Sequence, residues 1–173
     1  MCAHGATKAE HSEHMGGTIS VDNKQLINEA VKEREEAISR INRTVWKHAE
    51  LGYQEEKSAK AIANAMEEDG FQVTMGLAGI PTAFSASWGN GKPVIGILGE
   101  FDALPGLSQK AGVACQEPVE GTDTGHGCGH CALGAGAAGA AMAAKRYLQE
   151  SHKEGTVIYF GCPAEEYGFG KGF

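Results

Sequence analysis

The hexapeptide Gly125-His126-Gly127-Cys128-Gly129-His130 and the pair Glu165-Glu166 hold the side chains best suited to chemistry. A thiolate and an imidazole two residues apart can reach one divalent ion. A carboxylate at the end of a later strand can add another ligand and a general base. Borderline-soft ions such as Zn²⁺ take sulfur, nitrogen and oxygen together, and such sites usually serve hydrolysis by a metal-activated water. Three glycines leave the backbone free to fold tightly around an ion. Cys128 and His130 are therefore candidate metal ligands, against the plainer reading of a glycine-rich turn around an ordinary thiol. His126 reads as an outer donor or a structural histidine rather than a direct ligand.

Pro163 fixes the backbone just before the glutamate pair. In extended chain Glu165 and Glu166 point in opposite directions, so one can face the metal and the other the substrate water. A solvated acidic turn is the commoner fate of such a pair, but this one directly follows an apolar strand. Asp102, in Gly99-Glu100-Phe101-Asp102-Ala103-Leu104-Pro105, can orient or bridge metals or hold a histidine ligand in its tautomer. It can also merely close an Asx-type turn before Pro105.

These residues need a scaffold that brings two strand ends and one helix start together. Residues 24–49 have apolar residues near a 3.6 period and predict an amphipathic helix, capped by Asp22 or Asn23 and ended by Gly52. A second helix covers about 55–69, with Gly70 as its C-cap. Strands follow at 71–75, 83–88 and 93–99, with a Gly89-Asn90-Gly91 turn before the third. Val94-Ile95-Gly96-Ile97-Leu98 is apolar on both faces, as in a central strand. A long irregular segment, 99–125, leads to an Ala/Gly-rich helix at 130–150, and loops of that length are usually functional. Thr156–Phe160 is the last strand. Strand, loop, helix, strand is a βαβ unit, which predicts an α/β fold with a largely parallel inner sheet. Asp102 and the glutamate pair then lie past strand C-terminal ends, where open α/β sheets bind ligands.

The chain has 173 residues, enough for one sizeable core, and 15 Lys+Arg stand against 22 Asp+Glu, a net charge of −7. No basic stripe suggests a nucleic-acid partner. No apolar run approaches the roughly 18–20 residues that span a bilayer, and the N-terminus has no signal-peptide core. Five cysteines fit reduced cytoplasmic thiols or ligands better than a disulfide framework. Residues 1–21 read as a disordered tail, with Met15 as an alternative start.

Two motifs compete with the metal reading. Cys128-Gly129-His130-Cys131 spells a C-x-x-C dithiol, but an oxidoreductase needs an apolar strand directly before it, and residues 121–125 are not one. Residues 134–139 spell G-x-G-x-x-G, but inside a helix rather than at its start after a strand.

G-H-G-C-G-H, followed by G-C-P-A-E-E at 161–166 and preceded by G-E-F-D-A-L-P-G-L at 99–107, resembles the aminoacylase/carboxypeptidase-type metal-dependent amidohydrolases, metallopeptidase family M-20. The similarity runs from about Asp22 to Phe173. It implies a three-layer α/β sandwich with a mixed, largely parallel sheet. It implies Cys128, His130 and Glu166 as metal ligands, Glu165 as the general base and Asp102 as the carboxylate beside them. It further implies one or two Zn²⁺ or Mn²⁺ ions and hydrolysis of an amide bond in an N-acyl or aroyl amino acid or dipeptide. Family members commonly carry Asn or Asp at the position of Cys131. They are also more than twice as long, with further histidine ligands and a lid or dimerisation domain in the later part. Residues 22–173 thus correspond to the N-terminal part of a catalytic domain, whose full-length form pairs as a homodimer or with another subunit. The alternative is a non-catalytic, metal-binding partner chain.

Overall fold

The computed structural model describes residues 21–167. The expected tail lies outside the described residues save for Val21, and residues 168–173 lie outside them too.

The predicted first helix is two helices, α1 (Val21–Glu33) and α2 (Glu35–His48). The break falls on Arg34, whose backbone leaves the helical region (φ −102°, ψ 4°). Arg34 Nε bonds Asp69 Oδ1 at 2.5 Å, and Lys145 Nζ reaches Oδ2 of the same carboxylate at 3.1 Å. No glycine or proline marks the break, so the apolar period runs across it unchanged. α1 already begins at Val21, ahead of both predicted caps, and α2 ends at the left-handed Ala49 rather than at Gly52. α3 (Glu56–Glu68) buries Ala59, Ile62, Ala63 and Met66, as its spacing predicts.

Four strands form the main sheet in the order β1 (Gln72–Met75), β2 (Phe84–Asn90), β6 (Gly155–Cys162), β3 (Val94–Glu100). β1/β2 and β2/β6 are antiparallel, and β6/β3 is parallel. The sheet is mixed as expected, but only one of its described pairings is parallel. The glycine turn after β2 does not close a hairpin, because β6 inserts between β2 and β3. β6 is therefore the inner strand, and β3 is an edge strand among the described residues. Val94, Ile95 and Leu98 of β3 are 57%, 51% and 51% exposed. An apolar run on both faces reports hydrophobicity, not whether a neighbour lies alongside.

α4 (His130–Ser151) crosses back from β3 to β6 and completes the βαβ unit. On β6, Val157 and Tyr159 are buried, whereas Ile158 and Phe160 alternate to the other face and stay partly exposed. The core lies between the first face and the helices: Phe84, Ala86, Val157 and Tyr159 meet Ile41, Val45, Ile62, Met66, Ala135, Ala138 and Met142. Helices thus cover one face of the sheet, and a third layer is not found among the described residues. Burial of this core is the main source of stability. The small residues of α4 bring it close to the sheet. A Cβ on Gly134 would lie 2.5 Å from the Glu100 carbonyl oxygen, so glycine there sets the spacing between His130 and the end of β3.

The segment between β3 and α4 is mostly irregular, with one short antiparallel pairing of β4 (Leu104–Pro105) and β5 (Thr124–Gly125). Among the described residues, no helix is long and apolar enough to cross a membrane.

Candidate metal centre

The parallel register pairs Glu100 with Cys162, so β3 and β6 finish side by side. Each then releases a chain carrying acidic groups: Glu100 and Asp102 from β3, Glu165 and Glu166 from β6. α4 starts against the same edge. Gly129, at φ +81°, turns the chain into α4 through a conformation that a side chain would strain. His130 is thereby the first residue of the helix, and Cys128 stands just before it.

His130 is the hub. It is 3% exposed, and its Nδ1 lies 2.8 Å from Asp102 Oδ1. With the proton on Nδ1, donated to Asp102, the Nε2 lone pair faces the open end of the site. Around Nε2 stand Glu100 Oε2 at 3.2 Å, Glu165 Oε2 at 3.6 Å and Glu166 Oε1 at 3.8 Å. Asp102, 1% exposed, uses its other oxygen to accept the Glu166 backbone N–H at 2.9 Å. One buried carboxylate therefore fixes both the tautomer of His130 and the backbone of Glu166. Of the alternatives open for Asp102, its contacts match the orienting one.

Glu165 and Glu166 are not in extended chain. They begin a 3₁₀ turn, Glu165–Tyr167, entered through Ala164 at φ +55°. Successive side chains in such a turn fan around an axis instead of alternating across a strand. Both carboxylates accordingly approach the same imidazole nitrogen, contrary to the opposed arrangement expected from sequence.

Two overlapping sets of ligand atoms result, each with all members within 4.8 Å of one another: Cys128, His130 and Glu166, and Glu100, His130 and Glu165. The first contains the three residues expected as ligands. The second brings in Glu100, which the sequence reading passed over. Its signal was present: Glu100 and Asp102 are two apart, the spacing that puts side chains on one side of an extended chain.

The donor set fits a divalent cation. Four carboxylates surround one imidazole, and Glu166 Oε1 is buried with no hydrogen-bond partner. A buried carboxylate oxygen without a partner is costly. The thiol of Cys128 is exposed and hydrogen-bonds Glu166, whose bond and charge push its pKa up. Bound metal reverses that effect by deprotonating a coordinating thiol.

His126 belongs to neither set. It is buried, its Nε2 donates to the Val45 carbonyl at 3.0 Å, and its ring stacks on Trp46. Burial lowers its pKa. It pins the glycine-rich loop to the end of α2, a structural role and one of the two alternatives open from sequence. The dithiol reading fares poorly. Cys131 is buried in the core, and its pKa is pushed up by desolvation. Cys128 also lacks the lowered pKa that an attacking thiol needs. The G-x-G-x-x-G string lies inside α4 rather than at its start.

Comparison with known proteins agrees with this geometry. The chain is 46% identical over 149 residues to one of the subunits of p-aminobenzoyl-glutamate hydrolase from Escherichia coli, covering 86% of this chain and 31% of that one. It is 28% identical to the human Xaa-Arg dipeptidase, covering 83% of this chain and 33% of the relative. The chain therefore spans about a third of the length of these relatives. Among solved structures, it matches a dinuclear metal-binding peptidase of family M20 from Bacillus subtilis with a TM-score of 0.60 and 26% identity, over 83% of this chain and 36% of that one. Residues 96–172, which run from β3 through the thiol, the imidazole and both glutamates, match the peptidase family M20/M25/M40, so the chain carries a domain of that family.

Proposed function

We propose that this chain supplies the N-terminal part, residues 22–173, of the catalytic domain of a metal-dependent amidohydrolase. Its substrate class is an N-acyl or aroyl amino acid or dipeptide, of the p-aminobenzoyl-glutamate kind. The observation that carries the proposal is the convergence of Cys128, His130 and Glu166 within 4.8 Å, with Glu165 against the same imidazole nitrogen.

Cys128, His130 and Glu166 would hold a Zn²⁺ or Mn²⁺ ion. When bound, such an ion polarises the scissile carbonyl and makes water acidic enough to lose its proton near neutral pH. Glu165, 28% exposed in its side chain, faces the site from its solvent side and takes that proton. It then returns the proton to the leaving nitrogen, so the amine departs neutral as the C–N bond breaks. Asp102 does no proton transfer. It holds His130 Nδ1 so that Nε2 points at the ion. Glu100, on the same nitrogen, is placed to serve a second ion. An odd number of cysteines, with no disulfide framework legible in their spacing, suits a cytoplasmic setting.

The test is hydrolysis by the chain loaded with Zn²⁺ or Mn²⁺, measured as amine released from p-aminobenzoyl-glutamate and from N-acetyl amino acids. Release that chelator abolishes and metal restores supports the proposal. Metal uptake with no release from any of them favours the second reading, a metal-binding partner chain.

A further inference from the structure

The connector between α2 and α3 touches every stretch that carries a candidate ligand. The Glu50 carbonyl accepts the Ala103 N–H at 2.8 Å, beside Asp102, and Leu51 forms a β-bridge with Ala103. The Ala49 carbonyl accepts the Thr124 hydroxyl at 2.5 Å, at the start of the glycine-rich loop. Gly52 lies against Ala164 and Tyr167, where any Cβ would meet the Tyr167 ring at 2.5 Å. The connector ends at Glu55, which is fully buried. One oxygen of Glu55 accepts the Ala164 N–H at 2.7 Å, and the other accepts the Thr82 hydroxyl at 3.2 Å.

A buried carboxylate at this point needs an explanation. Burial pushes the Glu55 pKa up, and its hydrogen bonds only partly oppose that. An apolar residue would pack there without the desolvation cost. What Glu55 supplies is a fixed acceptor for the Ala164 backbone N–H. Ala164 is itself fully buried and sits at φ +55°, a left-handed conformation uncommon for a residue with a Cβ. That turn aims Glu165 and Glu166 together at His130. Relaxing it would swing the turn that carries both carboxylates away from the imidazole.

We propose that Glu55 is a positioning residue, which clamps the left-handed Ala164 turn and so presents Glu165 and Glu166 to the metal centre. The role rests on the proposed metal centre for its purpose, but the clamp can be read without metal.

The experiment pairs amide hydrogen exchange by NMR on the metal-free chain with Co²⁺ titration of the same samples. In Glu55→Ala the Ala164 amide exchanges faster by roughly tenfold or more, as for loss of one buried hydrogen bond. Its Co²⁺ affinity falls by roughly 10–100-fold, the range for lost outer-shell support. The Val157 and Tyr159 amides stay as in wild type and report an intact core. Glu55→Gln keeps an acceptor for Ala164 and can donate its amide N–H to the Thr82 hydroxyl, so both properties return. If Glu55→Ala fails to fold, Glu55→Asp withdraws the carboxylate by one methylene and must loosen Ala164 and weaken Co²⁺ in the same direction. Unchanged Ala164 exchange, wild-type Co²⁺ affinity in the loosened variant, or a Gln variant as weak as the Ala variant overturns the role. A wild-type chain with a protected Ala164 amide and no Co²⁺ uptake overturns the metal centre, and the positioning role with it.

Discussion

Replacing Glu165 with alanine is expected to lower kcat for amide hydrolysis by about 10²–10⁴, the usual contribution of a general acid–base group. Metal content should stay near wild type, because Cys128, His130 and Glu166 form a set of their own without it. The site offers no ready substitute for proton transfer. Asp102 is committed to His130 and the Glu166 N–H, and both it and Glu100 are buried, whereas Glu165 keeps part of its side chain open to solvent. The check is steady-state kinetics beside metal analysis, in the metal-loaded chain or at the matching position of a longer relative. Glu165→Gln should behave like the alanine variant, since an amide keeps the shape but cannot take the proton. Retained activity removes Glu165 from the role.

His130→Ala is expected to abolish measurable metal uptake, a larger loss than the roughly 10–100-fold that follows removal of an outer-shell partner. The imidazole is the one member common to both ligand sets, so no three-ligand set among the described residues survives its loss. A second effect is structural. Asp102, 1% exposed, loses the donor at 2.8 Å and keeps only the Glu166 N–H. Stranding a buried acceptor costs about 1–3 kcal/mol, so the variant should also melt earlier. Calorimetric metal titration and thermal denaturation measure the two effects separately. Wild-type metal affinity in His130→Ala would move the centre elsewhere.

The positions of the candidate ligands were legible in the sequence because they sit at element ends that have strong local signals. The Ala/Gly-rich run predicts α4 with His130 at its start, and the apolar run before Gly161-Cys162-Pro163 predicts the strand that delivers the glutamates. Orientation was less accessible. Whether Glu165 and Glu166 diverge or converge depends on the 3₁₀ turn that holds them, entered through a left-handed Ala164, and alanine gives no sign of such an entry. Glu100 was recoverable from its i, i+2 relation to Asp102. Glu55 was not, because its partners Thr82 and Ala164 are distant in sequence. The split at Arg34 depends on its pairing with Asp69, another long-range event that apolar periodicity does not record. The edge position of β3 is likewise a matter of strand order, and the insertion of β6 beside it is invisible to any local window.

The most direct measurement of the metal centre is a Co²⁺ titration of the wild-type chain, followed by absorption. The Cys128, His130, Glu166 set contains sulfur, whereas the Glu100, His130, Glu165 set does not. Uptake at the first set gives an intense thiolate-to-cobalt charge-transfer band. Because Glu166 pushes the Cys128 pKa up, the metal must displace a proton, and uptake should strengthen as pH rises toward the thiol pKa. A saturable sulfur band with that pH dependence is the expected result. Saturable uptake without the band, or no uptake at all, would contradict a centre built on Cys128.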